Sequence, residues 1–593
     1  MIRLPLMPRG RAKTPPVGTI HIEGVKQRAI EIGRARLIVT GAIFLLVFSV
    51  IAGRMVDVTV LHQGGALHAR QARAEDDAHI RADIVDRNGV LLATSLPTDS
   101  LYARPHEIRD PAEAARAISQ VLPDLTADKL QAELTSDRAF LYLKRNLTPS
   151  QVYSVNALGI PGLYFEKDAK RVYPQGVLAA HAVGLTDLDG KGVAGIEKSF
   201  DAALAERHEP LRLSLDIRVQ TVMRAELAKT MADFNAIGAT GMVLDVHTGE
   251  LISMVSLPDF DPNNMKDASA EAMFNRATLG VYEMGSTFKL FDAAAAIDTG
   301  VANVNSSYDA SHPIHIARFE ISDDHPQNRW LTVPEILIYS SNIGAAKMAL
   351  DLGTDRQKDY MGRFGLLHPA AIEIPENGAP LVPNPWREIN TMTIAFGHGM
   401  AVTPAQMVQG VSALVDGGTL HPVTLLARAP GEPIPGTRVI KPETSRMMLD
   451  MMRMIVTEGT GKKADVPGYE VAGKTGTAEK NSAGVYRRKA NLSSFIATFP
   501  VSDPRYLVLA MVDEPQGNKL SMGFATAGWT AAPAVGRIIA QIGPLLGVAP
   551  VNTPDGANDN LRVSTINENR HVAQAAAKNS PSLVRKVSLA EAE

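Results

Sequence analysis

A serine hydroxyl is a weak nucleophile until a neighbouring base takes its proton. Ser286-Thr287-Phe288-Lys289 supplies a hydroxyl and an amine three residues apart, the spacing that shares one helical face. Gly285 marks a turn ahead of them, and LFDAAAAID behind them is strongly helix-forming. The pattern therefore predicts Ser286 at a helix N-terminus, where free backbone N–H groups favour developing negative charge. Lys289 can act as the base if burial keeps it neutral near pH 7. Alone, such a pair is equally a surface helix pair, although Ser-x-x-Lys occurs once in this chain. Ser340-Ser341-Asn342 is a second candidate, suited also to plain helix capping and echoed at Ser154-Val155-Asn156 in another predicted region. Lys474-Thr475-Gly476-Thr477 is a third, with the alternation and Gly of an edge strand along which a ligand backbone can approach. A simple turn would read the same way.

Positioning these groups requires a folded domain of its own. At 593 residues the chain exceeds one core, so two folded parts with extensions are expected. IRVQTVMRAELAKTMADF reads as an amphipathic helix over 218–234, and GATGMVLDVHTGELISMVSL as two strands around a turn at His247-Thr248-Gly249. A boundary is thus expected near residue 235, dividing a mixed α+β segment, 54–235, from a domain over 236–550 that ends in the helical WTAAPAVGRIIAQIGPLLG. In the first segment, Asn88-Gly89 signals a hairpin turn before an apolar strand, and 110–135 reads as helical. Residues 551–593, poor in large apolar side chains, are expected to be disordered. With no cysteine, thiol catalysis, thiolate metal sites and disulfides are excluded. Lys+Arg total 60 against Asp+Glu 63, which gives no electrostatic pointer to nucleic acid. No HExxH pattern is present, and His312 and His315 fall in a Pro-containing stretch that reads as surface loop.

Residues 37–53, LIVTGAIFLLVFSVIAG, carry no charge. As a helix they span about 26 Å, close to a hydrocarbon core, with Arg36 and Arg54 placed to reach the two interfaces. The preceding 36 residues hold eight Lys/Arg (among them Arg3, Arg28 and Arg34) against Glu23 and Glu31, a bias that places the leader in the cytoplasm and the rest outside. The expectation is a single-pass anchor; a cleaved signal peptide is the alternative.

The three motifs, in this order and within one predicted domain, resemble the S-x-x-K, S-x-N and K-T-G set of class B penicillin-binding proteins, most closely the FtsI-type division transpeptidases. The resemblance extends to IVDRNGVLLA, RVYPQGVLAAHAVG, GVAGIEKSFD, LDVHTGELISMVSLPDFDPN and GHGMAVTPAQM. It implies an antiparallel sheet covered by helices, mounted on an elongated, non-catalytic pedestal of the dimerisation type. It also implies a peptidoglycan D,D-transpeptidase that acylates Ser286 with the penultimate D-Ala of a stem peptide, releases D-Ala and is trapped by β-lactams. In that scheme Lys289 is the general base, Ser340 relays a proton to the leaving group, and Asn342 orients the substrate amide and Lys289. Lys474 would hold Ser340 and the substrate carboxylate electrostatically, Thr475, Gly476 and Thr477 would bind that carboxylate, and the N–H groups of Ser286 and Thr477 would form the oxyanion hole. No metal or organic cofactor is implied. The implied partners are stem peptides, the cytoplasmic membrane and a polytopic FtsW-type glycan polymerase. Met284 stands where the family usually has Pro, and Ser341 is the middle residue of the second motif. The competing readings are an elongation-type transpeptidase, a D,D-carboxypeptidase, a β-lactamase (for which Glu388-Ile389-Asn390 lacks the expected loop pattern) and a non-catalytic β-lactam sensor or division scaffold.

Overall fold

The computed structural model describes residues 38–39, 41–52, 81–207, 209–316, 319–482 and 485–551. The expected basic leader and nearly all of the tail lie outside the described residues. Of the apolar segment, residues 38–39 and 41–52 are helical, with side chains such as Leu45 and Phe48 exposed. Among the described residues, no helix is long and apolar enough to cross a membrane.

From residue 81 the chain is α+β. Strand β1 (Ile84–Val85) turns back through Asn88-Gly89 into β2 (Leu91–Ala103), Gly89 taking φ +88° as such a turn demands. The carboxylate of Asp86 ties the turn by accepting from the N–H groups of Asn88 and Val90, each at 2.8 Å. The long strand β2 then pairs antiparallel with both β3 (Leu141–Leu147) and β4 (Leu163–Val172), and β5 (Leu211–Arg212) runs parallel to β1. The stretch 110–135 forms two helices rather than one, α1 (Pro111–Val121) and α2 (Ala127–Leu134), and α3 (Pro149–Asn156) follows β3. Pro123 has no N–H to donate and disfavours helical backbone at Leu122, so the first helix stops there. Ala115, Ile118, Leu122, Leu130 and Leu134 pack with Leu101 and Leu147 of the sheet into a separate small core.

The second region is built on a five-stranded antiparallel sheet. Its strands are β6 (Gly238–Asp245), β7 (Leu251–Leu257), β8 (Ala472–Ser482), β9 (Val485–Phe499) and β10 (Tyr506–Asp513), in the spatial order β8-β9-β10-β6-β7. The hairpin expected around His247-Thr248-Gly249 is β6–β7, and the strand carrying Lys474 lies at one edge. On one face, α4 (Ile217–Asp233) and the C-terminal helix Ala531–Leu545 bury Val219, Met223 and Leu227 with Val535, Ile538 and Ile542 against Val243, Phe495 and Val508. The amphipathic helix that the sequence left before the boundary is therefore part of this sheet's cover.

The opposite face carries the larger helical layer. At its centre is α5 (Lys289–Asp298), all ten of whose residues are buried. Around it pack α6 (Asn342–Leu352), α7 (Thr354–Arg363), α9 (Pro404–Val415) and α10 (Pro442–Thr457), with α8 (Glu388–Ile394) against α6 and α7. Alanines at 293–296 let these neighbours approach closely enough to enclose a helix on every side.

A buried ion network ties the first region together, and a backbone N–H beside it reaches the second. Glu197, with no solvent exposure, pairs with Arg81 (Nε–Oε2 2.5 Å) and Arg171 (Nε–Oε1 2.7 Å). Tyr173 N–H donates to Asn263 Oδ1 at 2.9 Å, joining RVYPQG to the end of LPDFDPN. His315 is exposed on a small hairpin strand, and no group of potential metal ligands assembles among the described residues.

Candidate active site

Gly285–Phe288 form a single 3-10 turn from which α5 continues, so Lys289 is the first residue of the regular helix and Ser286 lies within the turn ahead of it. Two contacts shape that turn. Gly285 adopts φ +56°, and a Cβ there would lie 2.4 Å from the carbonyl oxygen of Thr477. A Cβ at Gly476 would meet the Met284 carbonyl at 2.5 Å. The small residue in the K-T-G strand thus makes room for the protein's own nucleophile turn, rather than for a ligand backbone as its position in an edge strand implied. Met284, in the place of the usual Pro, is buried, and its carbonyl accepts from Thr287 Oγ1 at 2.8 Å, which ties the turn without the ring.

The amine of Lys289 has no solvent exposure and sits 2.8 Å from Ser286 Oγ, 2.7 Å from the Ser340 carbonyl, 3.2 Å from Ser340 Oγ and 2.6 Å from Asn342 Oδ1. A neutral amine has two hydrogens and one lone pair. The Ser340 carbonyl and Asn342 Oδ1 can only accept, so they take both hydrogens and leave the lone pair for the Ser286 hydroxyl. Burial pushes the Lys289 pKa down to about 7, with the carboxylates of Asp323 and Asp324 opposing the fall.

Lys474, also fully buried, donates to Ser340 Oγ at 3.1 Å and to the Thr475 carbonyl at 3.0 Å. Its pKa is held well below the usual lysine value, first by burial and then by the charge of Lys289. The two amines meet at one hydroxyl, Ser340 Oγ, which lies 3.2 Å from Lys289 Nζ and 3.1 Å from Lys474 Nζ. Ser340 reaches that point through a left-handed backbone, φ +58°, a conformation that costs a non-glycine residue of order 1–3 kcal/mol and is held by its surroundings.

Those surroundings were not legible in the sequence. Asp323, 19 residues ahead of Asn342 in the chain, accepts from Asn342 N–H at 2.6 Å, Ile343 N–H at 3.0 Å and Ser341 Oγ at 2.7 Å. Ser341 in turn caps α6 by accepting from Gly344 N–H at 3.0 Å. The capping role and the site role of Ser340-Ser341-Asn342, alternatives in the sequence, are both realised by different residues of the triplet. Thr460 was also missed; its hydroxyl lies 2.7 Å from Thr475 Oγ1. Thr477 Oγ1 accepts from Ala527 N–H at 3.2 Å, which steadies the edge strand from the outside. Burial pulls the pKa of His398, in GHGMAVTPAQM, below the usual histidine value, with the charge of Glu283 opposing. Its ring had no distinguishing spacing to mark it. A cavity of about 810 Å³ opens beside the motifs, lined by Glu283, Leu381, Met400, Ala478 and Lys480 among others.

All eight expected site residues therefore belong to one cluster: Ser286, Lys289, Ser340, Asn342 and Lys474 are linked by hydrogen bonds, and Thr475, Gly476 and Thr477 continue the strand past the nucleophile turn. Ser154 and Asn156 lie instead on a helix of the first region, Pro149–Asn156, with no part in it.

Residues 239–538 match the penicillin-binding protein transpeptidase domain, and residues 77–210 match the penicillin-binding protein dimerisation domain. A Caulobacter vibrioides protein named "Probable peptidoglycan D,D-transpeptidase FtsI" is 42% identical over 482 residues, covering 79% of this chain and 82% of the relative. The peptidoglycan D,D-transpeptidase FtsI of Escherichia coli is 30% identical over 81% of this chain and 86% of its own length. Penicillin-binding protein 3 of Mycobacterium tuberculosis, solved with ampicillin, shares the fold with a TM-score of 0.64 at 24% identity, over 81% of this chain and 98% of that one. The chain belongs to the class B penicillin-binding proteins, FtsI type.

Proposed function

We propose that this protein is a peptidoglycan D,D-transpeptidase that cross-links stem peptides at the division septum through an acyl-enzyme on Ser286. The observation that carries the reading is the buried Lys289 amine 2.8 Å from Ser286 Oγ, with both its hydrogens engaged elsewhere. Ser286 Oγ attacks the penultimate D-Ala carbonyl while its proton passes to Lys289 Nζ. The N–H groups of Ser286 and Thr477 face the oxyanion, each such donor commonly contributing about 3–4 kcal/mol. The C–N bond then breaks, and the terminal D-Ala leaves as an amine after receiving a proton through Ser340 Oγ. Asn342 holds the Lys289 amine and the substrate amide. Lys474, Thr475 and Thr477, with Gly476 between them, receive the substrate carboxylate. An amine of a neighbouring stem attacks the ester, gives up a proton to the Lys289–Ser340 pair, and restores Ser286 as the new amide forms.

The reading divides the chain into a cytoplasmic leader 1–36, an anchor 37–53, a pedestal 54–235, a transpeptidase domain 236–550 and a tail 551–593. Helix α4, at the end of the pedestal segment, packs on the catalytic sheet and joins the two parts. The charge-free run 37–53 and its basic leader support a single-pass anchor in the cytoplasmic membrane with the catalytic domain outside. The pedestal and anchor are the surfaces offered to an FtsW-type glycan polymerase. Names of the relatives favour division over elongation. Labelled penicillin tests the centre of this scheme. Wild-type protein is expected to take one covalent label on the peptide containing Ser286, read by mass spectrometry, and Ser286→Ala none while remaining folded. A label on another residue, or an undiminished label on Ser286→Ala, refutes it.

A further inference from the structure

One turn beyond Lys289 on α5, Asp292 is completely enclosed, as is Gln357 of α7. Gln357 Nε2 donates one hydrogen to Asp292 Oδ1 at 2.8 Å and the other to the Thr391 carbonyl of α8 at 2.9 Å. Those two bonds fix the amide's orientation, because a flipped amide would set its oxygen against two other oxygens. Asp292 Oδ2 and Gln357 Oε1 then remain as buried acceptors with no donor among the described residues. A carboxylate would leave both unsatisfied and a charge enclosed without a cation. A carboxylic acid has one O–H, and donating it from Oδ2 to Oε1 satisfies both atoms in a cyclic acid–amide pair.

We propose that Asp292 is a positioning residue that carries this proton, and that its acid–amide pair with Gln357 holds the Ser286–Lys289 turn in register. The turn that follows the helix receiving the Gln357 bond braces the other end of this segment. Just past α8 lies Gly397, where a Cβ would fall 2.0 Å from the Gly285 carbonyl oxygen, and whose own carbonyl accepts from Gly285 N–H at 3.3 Å. Thr391 is itself held by Thr354 Oγ1 at 2.9 Å and Trp386 Nε1 at 3.2 Å. The segment carrying the nucleophile is thus held at Gly285 by the turn after α8 and at Asp292 by Gln357 of α7, which is itself bonded to α8, through contacts that leave the catalytic groups untouched. Burial pushes the Asp292 carboxyl up to about 7, with the Gln357 bond opposing. The charged neighbours on α5 face elsewhere, Lys289 toward Ser286 and Asp298 toward Lys441 and Thr444.

Two measurements on the full chain test this. Infrared difference spectra at pH 6 between wild type and Asp292→Asn are expected to show a protonated-carboxyl carbonyl band, shifted in D2O, that the variant lacks. Acylation by a β-lactam is the second readout, and it rests on the transpeptidase reading where the infrared band does not. Asp292→Asn keeps an acceptor for Gln357 Nε2 and gains an N–H for Oε1, so it is expected to acylate at close to the wild-type rate. Asp292→Leu, similar in size but without either function, is expected to be at least about tenfold slower while still folded by circular dichroism. Absence of the band, or an Asn variant as slow as the Leu variant, overturns the proposal. A wild type that fails to acylate at all would instead count against the transpeptidase reading.

Discussion

Lys289 can serve as a base only in its neutral form, so the rate of acylation must follow the fraction of enzyme in which that amine is unprotonated. With the group at about 7, mass action gives roughly half neutral at pH 7, about 9% at pH 6 and about 1% at pH 5. A lysine at its ordinary value of 10.5 would be only about 0.03% neutral at pH 7. Burial therefore raises the supply of base at neutral pH by roughly three orders of magnitude. The second-order rate constant for acylation by a β-lactam, followed by stopped-flow fluorescence or timed quenching with a labelled penicillin, is expected to fall about tenfold per pH unit below 7 and to level off above 8. Two substitutions make the assignment specific. Asp324 is exposed and its charge raises the Lys289 value, so Asp324→Asn is expected to move the acid limb to lower pH. Lys289→Arg places a permanently charged guanidinium in the site and is expected to cost about 10²–10⁴ in rate at pH 7. A profile flat from pH 5.5 to 8, or one still climbing at pH 9–10, would refute the view that burial makes Lys289 the base. So would a limb that Asp324→Asn shifts toward higher pH.

Gly285→Ala puts a Cβ 2.4 Å from the Thr477 carbonyl at φ +56°. Relief requires the turn and the edge strand to separate, which draws the Ser286 and Thr477 N–H groups apart, and penicillin labelling is expected to slow about 10²–10³-fold. In the first region, Glu197→Ala leaves Arg81 and Arg171 buried without their shared carboxylate. A loss of about 3–5 kcal/mol is expected, read as a lower denaturant midpoint. An unchanged midpoint would show that the network contributes little.

Much of the scaffold could be read from local pattern. The turn at Asn88-Gly89, the hairpin around Gly249, the helix after Ser286 and the edge character of the Lys474 strand all follow from residues close in the chain, where backbone preference and periodicity act. Elsewhere a distant partner or a single residue decided. The helix Ile217–Asp233 packs on the catalytic sheet, which nothing in its own residues names. The expected helix over 110–135 divides because Pro123 outweighs the apolar periodicity around it.

The candidate site divides the same way. Residue types and spacing alone put a hydroxyl and an amine on one helical face, and offered Ser340-Ser341-Asn342 as a helix cap or site motif and Lys474-Thr475-Gly476-Thr477 as an edge strand or turn. Only tertiary structure decided that the two amines meet at Ser340 Oγ, that Asp323 holds the Asn342 turn, that Gly476 admits the nucleophile turn, and that Asp292 is sealed against Gln357. The physical reason is that pairing across more than a hundred residues, and the loss of water that moves a lysine from 10.5 to about 7, are set by what packs around a group. That packing belongs to the folded whole and leaves no mark on the neighbouring letters of the chain.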